Sequence, residues 1–262
     1  MDGSNIIRQF ERMGARASIV TIDRPTPSLR LDIARDRRGQ LFTLRVGKDT
    51  DLRVADVRRD MRHLLLVGVS PDGGKDKFLC GHDEREWFVA GIPGDRGVSN
   101  VETAMEALKP PLVRSEQERR GVRHDRRASR RTAAYVRQGE WFFLPRPDLV
   151  PDRFLVFRNE PLRRTGGKPH IAEFAYRSGG ELVYVSRTRP DGLTESERKA
   201  LIRSNKAAAQ ERWTTMRRNA QVYVKGRIAH PDHETVVLPC WHLVQMNTEN
   251  KAPAMRHIAF LD

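Results

Sequence analysis

The sequence predicts an α+β fold: two β-rich, mainly antiparallel lobes with a few helices, joined by an arginine-rich segment. Three observations predict it. Short segments with apolar residues at alternate positions recur along the chain, bounded by Gly, Pro, Asp or Asn. They lie too close together for the crossovers that parallel strands need. A run dense in arginine, residues 114–137, separates two groups of such segments. The division that follows is an amino-terminal β-rich lobe over 1–111, an arginine-rich linker or helix over 112–134, and a carboxy-terminal α+β lobe over 135–262.

The elements follow in order. Ser4 or Asn5 caps a first helix, whose stripe of Ile6, Ile7, Phe10 and Met13 ends at Gly14. Strands are expected at 17–22 and 29–34, the second pairing with 41–46 across the charged turn at 36–39. The continuously apolar run 63–69 reads as a central strand, and the turn at 71–74 returns the chain through 77–80. A strand over 86–92 precedes a helix capped by Ser99 or Asn100 that carries Val101, Ala104, Met105 and Leu108 and stops at Pro110-Pro111. Beyond the arginine run, strands are expected at 141–144, 154–157, 171–176 and 182–185. Thr194 and Glu197 form a capping-box pair that opens the longest helix, about 195–218, with Leu201, Ile202, Ala209, Trp213 and Met216 on one face. Strands at 221–228, 235–238, 241–245 and 256–260 close the chain.

Composition limits the classes of function. With 262 residues the chain buries a core as one large domain or two smaller ones. Apolar residues make up 38% and charged residues 31%, against about 25% charged in typical globular chains. The longest apolar run, 64–69, is far short of the ~18 residues of a membrane span, and the polar start Met-Asp-Gly-Ser-Asn has no apolar leader behind it. A cytoplasmic protein with no membrane association is expected. Cys80 and Cys240 are too few for a disulfide framework and read as free thiols.

Charge is the strongest global signal. Forty-eight Lys and Arg against 34 Asp and Glu give +14, and 39 of the 48 are Arg. A field of that sign draws nucleic acid, RNA or DNA, or an acidic protein partner. Residues 114–137 hold nine Arg, no Lys and three acids. Projected as a helix, Arg119, Arg120, Arg123, Arg126, Arg127, Arg130 and Arg131 fall within an arc of about 140°. A row of phosphates relieves their mutual repulsion, and each guanidinium grips phosphate through its bidentate fork. Gly121 interrupts that helix, and its back face is only partly apolar, so a solvated linker is the plainer alternative. On this reading the chain is a nucleic-acid-binding protein that grips the phosphate backbone, with aromatics near Trp87 or Trp141 stacking on bases and no catalysis assigned.

Two residue clusters point to other chemistry. His230-Pro-Asp-His233, with Cys240 and His242 further on, offers four N/S ligands of the kind tetrahedral zinc takes, although the spacing matches no established zinc pattern. Cys80, His82 and Glu84 share one face of a strand and bring a thiol, a base and a carboxylate together; the plainer reading is a polar turn. Either cluster makes a metal-dependent hydrolase or nuclease the alternative function. An assembly protein docking an acidic partner is the second alternative. No motif demands a cofactor; zinc is the one the His/Cys set would take.

Overall fold

The computed structural model describes residues 3–23, 29–94, 97–163 and 168–251. Helix α1 (Gly3–Arg12) lays Ile6 and Phe10 into the core and ends before Gly14, whose φ of +84° suits only a residue without a β-carbon. The next three strands, β1 (Ala17–Ile22), β2 (Leu29–Asp36) and β3 (Gly39–Gly47), form one sheet in the order β1-β3-β2. β2 and β3 are the expected hairpin, whereas β1 lies parallel to β3, an exception to the antiparallel expectation.

A second sheet is a plain antiparallel meander of β4 (Asp51–Arg58), β5 (His63–Val69), β6 (Lys75–Asp83) and β7 (Glu86–Gly91). After His63 its strand β5 is wholly apolar, as suits a strand buried on both faces. Leu64 and Leu66 join the core against the first sheet, with Phe10, Leu31, Phe42, Leu44, Phe78 and Cys80. Leu65 on the other face joins Leu79, Ala90 and the apolar stripe of α2 (Val101–Ala107). Asn100 caps α2 as expected, its Oδ1 accepting from the Thr103 amide at 2.8 Å. The following proline pair does more than stop that helix. Pro111 is the first residue of α3 (Pro111–Arg119), where its missing N–H costs nothing.

Residues after the arginine run build a six-stranded antiparallel sheet. Its order is β10 (Val156–Leu162), β11 (His170–Ser178), β15 (Gln221–His230), β16 (His233–Met246), β9 (Trp141–Pro145) and β8 (Val136–Gln138). A small sheet orders β13 (Arg189–Leu193), β12 (Glu181–Ser186) and β14 (Thr214–Arg218), beside α4 (Glu195–Ser204) and α5 (Lys206–Ala209). One face of the six-stranded sheet carries Phe143, Ala172, Ala175, Val224, Ile228 and Leu238 as a core. On the other face Phe142, Leu144 and Leu243 pack under Val113 of α3, with Ala134 and Tyr135.

Several expectations are corrected. The long helix over 195–218 is short: the Thr194–Glu197 capping box is present, but α4 stops at Ser204, where Asn205 turns extended and caps α5. The tail of the expected helix, Thr214–Arg218, instead pairs with β12, consistent with its β-branched Thr214 and Thr215. The expected strands 235–238 and 241–245 are one strand, β16. It carries Pro239 through a bulge between the Val224↔His242 and Gly226↔Leu238 pairs, a place where a missing N–H is tolerated. Strands β4, β8 and β13 had no clear sequence signal, and the strand expected at 256–260 lies outside the described residues. Among the described residues no helix is long and apolar enough to cross a membrane.

Candidate functional site

The arginine-rich run is not one helix. It begins in α3, which ends at Arg119, and Gly121 (φ +61°) turns the chain away. A short 3-10 turn over His124–Arg126 follows, then irregular chain to β8. The seven arginines therefore do not share a face, and several hold the chain's own acids. Arg119 and Arg120 both bind Glu116, and Arg127 donates to the Val122 carbonyl at 3.3 Å. Arg130 pairs with Asp83 and Glu84, and Arg137 reaches Asp83 at 3.3 Å. Arg123, Arg126 and Arg131 remain exposed to solvent, Arg123 in a bidentate pair with Asp125 at 3.1 Å.

The 80–84 cluster comes apart in a different way. Cys80 is wholly buried in the apolar core, and that burial pushes its thiol up, away from the reactive thiolate. His82 rests its ring edge-on against Trp87, with centroids 4.9 Å apart, and burial lowers its basicity. Glu84 points elsewhere: its Oε2 accepts from the Glu234 amide. The three side chains thus form no thiol–base pair. A thiol reagent applied to the native protein is expected to modify at most Cys240, which is partly exposed, and to reach Cys80 only in denaturant. Rapid labelling of both thiols in the folded chain would contradict this placement.

Asp83 and Glu84 instead form a junction between the β6–β7 turn and the β15–β16 turn. Arg130 bridges the two acids, and Arg85 donates to the Pro231 carbonyl at 3.5 Å. Glu84 has φ +53°, a left-handed conformation that costs a non-glycine residue about 1–2 kcal/mol. The carboxylate is thereby turned toward the hairpin, where Nδ1 of His233 lies 3.5 Å away.

Three histidines lie in a row across adjacent strands beside that junction. His230 and His233 pair directly across the two-residue Pro231-Asp232 turn, so the convergence expected from their spacing is present. The third is His170 at the start of β11, one position beyond the Ile171↔Ala229 pair and therefore level with His230. Ring centroids are 4.2 Å apart for His170–His230, 4.7 Å for His230–His233 and 5.3 Å for His170–His233. Donor nitrogens of all three lie within 4.8 Å of one another. Burial, with His230 alongside, lowers the pKa of His233 to about 4, so the ring is neutral at neutral pH. Cys240 and His242 take no part. They sit about 20 Å along β16 from the hairpin tip, where buried His242 lies level with Val224 and Pro145. The four residues of the expected set therefore do not lie together; His170 instead joins His230 and His233.

The row opens into a cavity of about 490 Å³ between the amino- and carboxy-terminal sheets. Its lining includes Asp83, Trp87, Lys109, Tyr135 and Arg137 beside the histidines. Lys109 is almost fully buried, which lowers its pKa, yet it is held by Glu106, by Gln117 at 3.2 Å and by the Arg127 carbonyl at 2.8 Å. It acts as a structural tie beneath the arginine run.

A second feature lies on the far face of the six-stranded sheet. Among the described residues, α3 and the chain that follows it pack on the β9 and β16 part of that face, with Tyr223 of β15 at the margin. On β10, β11 and β15 the register places Arg158 beside Phe174, Phe174 beside Lys225, and Tyr176 beside Tyr223. Trp241 of β16 completes the group, 6.4 Å from Tyr176, which is 6.1 Å from Tyr223. All four aromatics are partly exposed, and Arg158 and Lys225 are exposed. The Arg158 guanidinium stands 5.0 Å from the Phe174 centroid, a cation–π distance. By contrast Trp141 is buried, and Trp87 packs against Phe42, His82 and the Arg62 guanidinium at the edge of the amino-terminal core.

No family model, curated protein or solved structure matches this chain. What these residues do is therefore argued from their own geometry. His170 and the aromatic face escaped the sequence because both depend on strand pairing. Tyr176, Tyr223 and Trp241 are separated by 47 and 18 residues, and only the β11–β15–β16 register brings them together.

Proposed function

We propose that the chain binds single-stranded nucleic acid on the aromatic face of its six-stranded sheet. Bases stack on Phe174, Tyr176, Tyr223 and Trp241, while Arg158 and Lys225 hold phosphates. Exposed Arg123, Arg126 and Arg131 extend the positive surface. The observation that carries the reading is four partly exposed aromatic rings on one sheet face, interleaved with exposed cations, in a chain of net charge +14. Stacking platforms of this kind favour single strands, because the bases of a duplex have no free faces to offer.

The arginine run also adjoins this face. Val122, next to Arg123, and Tyr223 both pack against the cluster of Val113, Phe142, Leu144 and Leu243. Its role here is to supply flanking charge rather than a continuous helical ridge.

The test is binding of labelled oligo(U), oligo(dT) and a duplex of equal length across a salt series. Single strands are expected to bind more tightly than the duplex. Replacing Arg158 and Lys225 together by Ala should flatten the log–log salt slope by about 1.4, from about 0.7 per lost phosphate contact. Equal binding of duplex and single strand, with a slope the double variant does not change, would overturn the reading. Preference for an acidic peptide over either nucleic acid would favour an assembly role instead.

A further inference from the structure

We propose that His170, His230 and His233 form a binding site for a zinc-class divalent metal ion at the mouth of the cavity, with Glu84 orienting His233. Three observations support it independently of the aromatic face. The first is convergence: the three donor nitrogens lie within 4.8 Å of one another on three neighbouring strands. Zn–N bonds of about 2.0–2.1 Å in a tetrahedral site place donors about 3.3 Å apart, so small ring movements of about 1.5 Å close the set.

The second is the way the rings are held. Nε2 of His230 lies 3.2 Å from the Lys168 carbonyl, which can only accept, so the proton sits on Nε2. Nδ1 therefore carries the lone pair, and it now accepts from the Asp232 amide at 3.1 Å, a contact a metal ion would replace. For His233, Nδ1 is buried and makes no hydrogen bond, with Oε2 of Glu84 3.5 Å away at ion-pair distance; a proton on Nδ1 would face that carboxylate and leave the Nε2 lone pair for a metal ion. A ring nitrogen bonded to a carbonyl or carboxylate while the other faces the metal is the usual arrangement around ligating histidines.

The third is space. Residue 139 is glycine with φ +56°, and a β-carbon there would come within 2.7 Å of Nε2 of His233. The ring's free nitrogen thus faces room that any other residue would fill. Three imidazoles suit zinc, nickel or copper rather than magnesium or calcium, which take oxygen donors. Three protein ligands would leave a fourth position for water or a bound molecule, and all three histidines line the cavity.

The experiment uses the full chain, stripped with chelator, and titrates it with Co²⁺ and then Zn²⁺. The expected result is one ion per chain, with the intense visible bands of tetrahedral cobalt, bleached by zinc, and a raised melting temperature. His230→Ala should abolish the bands; Glu84→Gln should weaken binding about 10–100-fold. Gly139→Ala removes no ligand and should also block binding, while Cys240→Ser should leave it intact. Circular dichroism of each metal-free variant separates lost binding from lost fold. Absence of cobalt bands in the wild-type chain would overturn the proposal, as would bands that persist in folded His230→Ala and Gly139→Ala or vanish in Cys240→Ser. Because single-stranded oligonucleotide binding is read separately, failure here leaves the aromatic face standing, and the reverse holds.

Discussion

Replacing Tyr176 and Trp241 together by Ala is expected to weaken single-stranded oligonucleotide binding by about 30–1000-fold. Each aromatic–base stack contributes about 1–3 kcal/mol. The two rings are only 6.4 Å apart, so their contributions overlap, and the sum is placed at about 2–4 kcal/mol rather than twice the single value. The salt slope should stay nearly unchanged, because no phosphate contact is removed. That combination, lost affinity at constant slope, distinguishes stacking from charge. Tyr176→Phe keeps the ring and should bind almost as the wild type does. Both residues are partly buried, so affinity is compared at temperatures where circular dichroism shows the double variant folded. Unchanged affinity in a folded double variant would mean that the bases do not lie on this face.

Arg130→Ala is expected to destabilise the chain by about 2–3 kcal/mol. The guanidinium bridges Asp83 and Glu84, whose side chains are only 10% and 5% exposed. Stranding a buried charge costs about 3–5 kcal/mol, and two features reduce that here. Arg130 itself is about one-third exposed, and both acids keep a partner: Asp83 keeps Arg137 at 3.3 Å, and Glu84 keeps the Glu234 amide. For a chain of this length the loss lowers the melting temperature by about 5–10 °C. Arg123→Ala, which removes a largely exposed side chain, should change stability by less than about 0.5 kcal/mol. Equal effects of the two substitutions would show that the junction between the β6–β7 and β15–β16 turns is not what Arg130 holds.

The strands of the sequence were legible where one face is buried and the other wet, as in β2 and β3, or where both are buried, as in β5. Helix starts were legible from side-chain chemistry alone at Asn100 and Thr194. Illegible was whatever depended on partners distant in sequence. The segment Thr214–Arg218 has a helix-compatible stripe, but a vacant edge of β12 captures it. The arginine run fails as a helix for a reason the sequence did carry, since Gly121 was its evident weak point. That Arg130 and Arg137 would serve Asp83, about fifty residues earlier, was not visible, because charge counts cannot say which acids an arginine meets. The histidine site divides in the same way. His230 and His233 converge across a turn that is local and readable, whereas His170 arrives by the β11–β15 register.

Ultraviolet cross-linking of oligo(U) to the full chain, followed by peptide mapping, tests the central claim most directly. Cross-links are predicted on the peptides that carry Phe174 and Tyr176, Tyr223, and Trp241, and they should disappear when unlabelled single strand competes. Cross-links confined to other peptides, such as those of Trp87 or Trp213, or none under conditions where the oligonucleotide binds, would contradict the account.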